Sequence, residues 1–135
     1  MSLDQALNDA TSAIPECVAA GVVDLDSGML LGVKTVDSHP SEVLDVVAAA
    51  TADLFQGTNV VMIENLFKLG RGLPEDDGHH YFQEMVVLSD NLMHFFLRSK
   101  AHANAVAIFV TRKSANMGMA LTKSRAAIPS LEAAL

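Results

Sequence analysis

Val22-Val23-Asp24-Leu25-Asp26-Ser27-Gly28-Met29-Leu30-Leu31-Gly32-Val33 reads as a β-hairpin. Two apolar runs flank Asp26-Ser27-Gly28, a turn sequence whose glycine accepts positive φ without a Cβ clash. The first run reaches back to Cys17 and the second forward to Thr35, giving strands over 17–25 and 29–35. The near-continuous hydrophobicity of 29–35 predicts cover on both faces of the second strand. Asp24 and Asp26 sit where short carboxylates accept from turn N–H groups. A glycosidase-like acid–base pair would instead face itself across a cleft.

Before the hairpin, residues 2–13 have the pattern of a helix. Ser2 is a suitable N-cap, Asp4 complements the dipole in the first turn, and Leu3, Ala6, Leu7 and Ala10 recur at helical spacing. Pro15 ends it, because the residue before proline avoids the α region. After the hairpin, Ser38 or His39 precedes Pro40 at the first position of a second helix. Helical periodicity continues from there to about Leu69, roughly thirty residues where the mean is about 12. Gly57 lowers its propensity but is not expected to break it. Val43, Leu44, Val46, Val47, Leu54, Phe55, Val60, Val61, Met62, Ile63, Leu66 and Phe67 are more apolar positions than one stripe against a sheet requires. The helix is therefore expected to bury two faces, the second against a copy of itself.

Gly70 to His80 is a loop rich in glycine and acid. Strands follow over Tyr81–Ser89, Leu92–Arg98 and Ala105–Arg112, with Asp90-Asn91 as a tight turn. In the middle one, Met93, Phe95 and Leu97 alternate against His94, Phe96 and Arg98. Ser114 or Asn116 caps a last helix to about Ala126, with Pro129 interrupting it. The order is α-β-β-α-β-β-β-α. It predicts an α/β protein of the α+β type, in which a five-stranded antiparallel sheet carries a long central helix on one face and the terminal helices on the other. Residues 1–135 are expected to form a single domain, since 135 residues suit one and can bury a core without disulfides.

With 5% aromatic residues and no Trp, that core must come from Val, Leu, Ala, Ile and Met. A net charge of −7 repels phosphate backbones and anionic membranes and favours basic protein partners. Arg112, Lys113, Lys123 and Arg125 are interrupted by neutral residues and form no basic patch. No apolar run approaches the ~18 residues of a membrane span. Met1-Ser2-Leu3-Asp4 has neither the basic nor the apolar region of a signal peptide. The single cysteine, Cys17, points to a reducing compartment. The expectation is a cytoplasmic protein with no nucleic-acid partner and no membrane insertion.

No residue set is assigned to catalysis, to a cofactor or to a metal. Cys17 opens an apolar strand, where a buried thiol is a small hydrophobe rather than a nucleophile. His79, His80, Glu75, Asp76 and Asp77 crowd one loop, but adjacent histidines point apart in extended chain. Gly70-Arg71-Gly72 lacks the Lys-Ser/Thr and helix of a phosphate loop.

Four elements in order resemble the roadblock family, which includes dynein light chain roadblock and its bacterial relatives. They are Ile14-Pro15, the hairpin from Val22 to Gly28, the long central helix, and Ala115-Asn116-Met117-Gly118-Met119-Ala120-Leu121. The last is similar to the family's Asn-Leu-Gly stretch at the start of the closing helix. The resemblance covers nearly the whole chain, and the acidic Gly70–His80 loop and Pro129 depart from it. It implies a profilin-like fold and homo- or heterodimers whose sheets join edge to edge and whose central helices pair. It also implies a non-enzymatic adaptor that regulates or scaffolds a small Ras-like GTPase. The side chains assigned to the dimer or partner interface are Val60, Ile63, Phe67, Tyr81 and Met85. The alternative is a small-molecule sensor or enzyme of the wider profilin-like class, which requires His94, Arg98 or Asp24 to converge on a pocket.

Overall fold

The computed structural model describes residues 2–36, 41–73 and 80–135, and the side chains of 41–46 are not described. Its elements are α1 (Leu3–Ala13), β1 (Cys17–Asp24), β2 (Met29–Thr35), α2 (Ser41–Gln56), α3 (Thr58–Gly70), β3 (Glu84–Leu88), β4 (Leu92–Arg98), β5 (Ala105–Arg112) and α4 (Met117–Ala133). The expected start of the second helix at Ser38–Pro40 lies outside the described residues.

The five strands form one antiparallel sheet in the order β2-β1-β5-β4-β3. The hairpin forms as read. Gly28 takes φ +69°, and the Asp24 carboxylate accepts from the Ser27 N–H and hydroxyl. On one face lie α1 and α4, with Leu7, Ile14, Val22, Phe95, Phe109 and Leu131 in a shared core. On the other lies α2, whose Ala48 and Phe55 pack with Val23, Phe96, Val106 and Ile108. Alternation within β4 divides the layers, since Met93, Phe95 and Leu97 face the terminal helices and Phe96 faces α2. Gly32 lets α1 sit directly on β2, because a Cβ there would meet Leu3 Cδ2 at 2.9 Å and Leu7 Cδ1 at 3.0 Å.

Five expectations are corrected. The core is not left to Val, Leu, Ala, Ile and Met, since Phe55, Phe95 and Phe109 are its largest fully buried side chains. The strand read over Tyr81–Ser89 spans only Glu84–Leu88, because residues 80–83 are irregular. The thirty-residue central helix is two helices. Gly57 turns to ψ 154° and becomes the N-cap of α3, and a Cβ there would stand 2.6 Å from the Asp53 carbonyl oxygen. Pro129 does not end α4, which runs to Ala133. Its last turn is held by buried Leu131 and by Glu132, which accepts from the Ser99 hydroxyl and the Ala101 N–H. Lastly, β2 is covered only in part, although α1 and α2 both reach it. It is an edge strand with Met29, Leu31 and Val33 exposed, and Leu31 is a bulge residue unpaired with β1.

Candidate interaction surface

A helix laid on a finished sheet meets side chains, because the backbone beneath is already hydrogen-bonded. Helix α3 instead lies against the irregular backbone of residues 80–83, which has an N–H to satisfy. Its Glu64 carboxylate accepts from the Phe82 N–H at 2.9 Å, and His80 Nδ1 is 3.7 Å from the same carboxylate. Glu64 and Lys68, one turn apart, are only 2% and 3% exposed. The polar pair occupies the inner face, so the apolar residues turn outward. Met62 is 59% exposed, Leu66 67%, Phe67 52% and Leu69 62%.

These side chains form two stripes. Met62, Leu66 and Leu69 fall within about 60° of each other, opposite Glu64. Ile63 and Phe67 lie to one side, where the Phe67 ring stacks on Tyr81 with centroids 5.4 Å apart and planes 7° apart. Burying one such side chain fully is worth about 1.5–3 kcal/mol, of which α3 gains only part from its own chain at these half-exposed positions.

Residues 80–83, on which α3 packs, lead into β3, the last strand of the sheet. It pairs only with β4, so the backbone groups along its outer side face away from the sheet. Val86, Val87 and Leu88 are exposed. Glu84 starts the strand in a two-toothed ion pair with Arg125 of α4, which raises the arginine's pKa. Arg98, at the end of β4, joins the region to α2. It is buried, donates to the carbonyls of Phe55, Phe82 and Ala103, and lies over the Phe55 ring. Burial lowers its pKa and the charge of Glu64 raises it.

The fold as a whole matches solved structures over almost the full chain. The roadblock/LC7 domain from Streptomyces avermitilis superposes with TM-score 0.69 at 16% identity, over 98% of this chain and 97% of that one. This is a roadblock-type fold. MglB in a tetrameric arrangement also gives TM-score 0.69, at 20% identity over 96% of this chain and 85% of its own. MglC from Myxococcus xanthus gives 0.62, at 14% identity over 100% of both. No protein-family model and no curated protein matches the sequence.

Within this roadblock fold, the assigned interface residues separate. Ile63 and Phe67 are exposed on α3, with Val60 half-buried one turn before Ile63. Tyr81 is half-buried against Phe67. Met85 leans on the α2-side core. Sequence reading missed Glu64 and Lys68 as inner residues, and with them the outward stripe at Met62, Leu66 and Leu69. The available signal was their spacing of four and three residues around a Glu-Lys pair four apart.

The polar groups of the sensor alternative do not converge. Asp24 is engaged by its own turn, and Arg98 is engaged by three carbonyls. His94 and Arg98, four residues apart on one strand, are separated by about 13 Å. Cys17 is buried, and that burial raises its pKa and keeps it a thiol. No three His, Cys, Asp or Glu side chains cluster as a metal site among the described residues, which do not include Glu75–Asp77 or His79.

Proposed function

We propose that this chain is a non-enzymatic regulatory adaptor that works as a homodimer and binds a small Ras-like GTPase or a related cytoplasmic complex. The observation that carries the reading is the inverted helix α3, with Glu64 and Lys68 inside and Ile63, Leu66 and Phe67 outside. Such a helix is complete only when something apolar covers it. The open edge of β3 beside it gives a second copy a place to extend the sheet, and Val60, Ile63, Phe67, Tyr81 and Met85 mark the shared border. The likeness to MglB in a tetrameric arrangement supports self-association. Among the described residues no helix is long and apolar enough to cross a membrane. The GTPase part rests on the family resemblance of the sequence.

Sedimentation velocity at micromolar concentration tests the dimer. The wild-type chain is expected to sediment as a dimer, and Phe67→Glu as a folded monomer. A monomeric wild type sinks the reading, as does a Phe67→Glu chain that stays dimeric. For the partner, a Ras-like GTPase loaded with GDP or a GTP analogue should be retained by the immobilised dimer, and more so in one nucleotide state. Equal failure with both forms would remove the GTPase and leave the dimer.

A further inference from the structure

A cleft of about 210 Å³ opens between Val47 of α2 and the sheet face beneath it. The register defines its floor. Thr35, Ala19, Val110 and His94 are successive neighbours across β2, β1, β5 and β4, and Val33, Gly21, Ile108 and Phe96 form the next row. Ala19 and Gly21 carry almost no side chain at the centre of these rows, and that lack leaves the space open. The remaining lining is mostly carbon, and no Lys, Arg, Asp or Glu belongs to it among the described residues.

His94 is the exception. Its Nε2 lies 3.0 Å from the Ser89 hydroxyl, and its Nδ1 makes no hydrogen bond among the described residues. Burial lowers the imidazole's pKa, so the ring is neutral at physiological pH. A neutral nitrogen can meet one uncharged polar group. A charged head would enter an apolar site with no counter-ion among the described lining residues, which is costly.

Size decides between a small molecule and a protein. An apolar cavity of about 150 Å³ takes up benzene. A stable protein partner covers about 800 Å² per side, the scale of the α3–β3 surface rather than of this recess. We propose that the cleft binds a small, uncharged, largely apolar molecule carrying one hydrogen-bonding group, with that group on His94 and its apolar body over Ala19 and Gly21. The site does not depend on the adaptor reading, and its occupant would act on the α2 side of the sheet.

N-phenyl-1-naphthylamine is an uncharged fluorescent probe with a single N–H. Titrated into the full chain, it should bind saturably with one site per chain. Filling the cleft with Ala19→Leu, or at its rim with Val33→Phe, should weaken binding at least tenfold while the circular dichroism spectrum is unchanged. His94→Phe keeps the shape, removes one neutral hydrogen bond, and should weaken binding about fivefold. Leu66→Glu, on the outward stripe of α3, should leave binding as it was. Absence of probe binding to the wild type overturns the proposal, as does binding that survives both filling variants. Loss in Leu66→Glu alone would mean that the probe reads α3. Filling variants that change sedimentation but not probe binding would assign the cleft to a side chain of a second copy. Either of these results also overturns the proposal.

Discussion

Helix α4 packs on the sheet, helix α3 on the segment that leads into it, and the two obey opposite rules. The inner positions of α4 are Ala120, Ser124 and Leu131, small or apolar, and the one hydroxyl is satisfied by its own helix at the Ala120 carbonyl. The inner positions of α3 are Glu64 and Lys68. What lies beneath accounts for the difference. Helix α4 covers strands whose backbone groups are paired, so only surface area matters. Helix α3 covers residues 80–83, where the Phe82 N–H needs an acceptor and Glu64 supplies it. One helix is finished by its own chain, and the other leaves its apolar side exposed.

Truncating a phenylalanine on each side tests this contrast most strongly. Phe95, fully buried between the sheet and the terminal helices, should cost about 3–5 kcal/mol as Phe95→Ala. Phe67→Ala, measured in urea at a concentration low enough to keep the chain monomeric, should cost about 1 kcal/mol, the worth of its stacking on Tyr81. Similar losses at both sites would mean that α3 is held by its apolar face after all. Raising the protein concentration should widen the difference between wild type and Phe67→Ala, because only the wild type gains from association.

A smaller effect distinguishes the broken helix from a continuous one. In a continuous helix, Gly57→Ala would stabilise by about 1 kcal/mol through propensity. Here the new methyl meets the Asp53 carbonyl at 2.6 Å, a backbone atom that cannot move aside cheaply. The substitution should therefore destabilise by about 1–3 kcal/mol, as overpacking does. Thermal melts of the two proteins give the sign directly. A higher melting temperature for the variant would show that α2 and α3 can join.

The contrast also explains what could be read in the sequence. Strands β2, β4 and β5 were legible to the residue, because period-two alternation and the Gly28 turn are local signals. The order of elements followed, and with it the five-stranded antiparallel sheet. The break at Gly57 was not legible. Glycine in a helix is ordinarily a tolerated cost, and only the approach of the Asp53 carbonyl makes it a boundary. The continuation of α4 past Pro129 depends on Ser99 and Ala101, some thirty residues away. The excess of apolar positions on residues 43–67 was visible, but its direction was not, because the polar demand of the Phe82 N–H is set by tertiary structure. The cleft at His94 is similarly hidden, since Ala19 and Gly21 read as ordinary strand residues until the register puts them side by side.

The smallest effect concerns the last turn of α4, where a carboxylate does for a loop what Glu64 does for residues 80–83. Hydrogen bonds from the Ser99 hydroxyl, first, and the Ala101 N–H hold the Glu132 carboxyl below the usual carboxylate range. A depressed folded-state pKa means the stabilisation is present above the unfolded value, about 4.3, and is lost as the pH falls through the folded one. Glu132→Gln keeps the shape and removes the charge. Because the site is largely open to water, the loss at neutral pH should be modest, about 1 kcal/mol. Urea midpoints for both proteins at neutral pH and at about pH 3 separate charge from shape. The gap should narrow in acid, where the wild-type carboxyl becomes protonated and resembles the amide. A gap of the same size at both pH values would mean that Glu132 acts through packing, and that Leu131 alone carries the chain past Pro129.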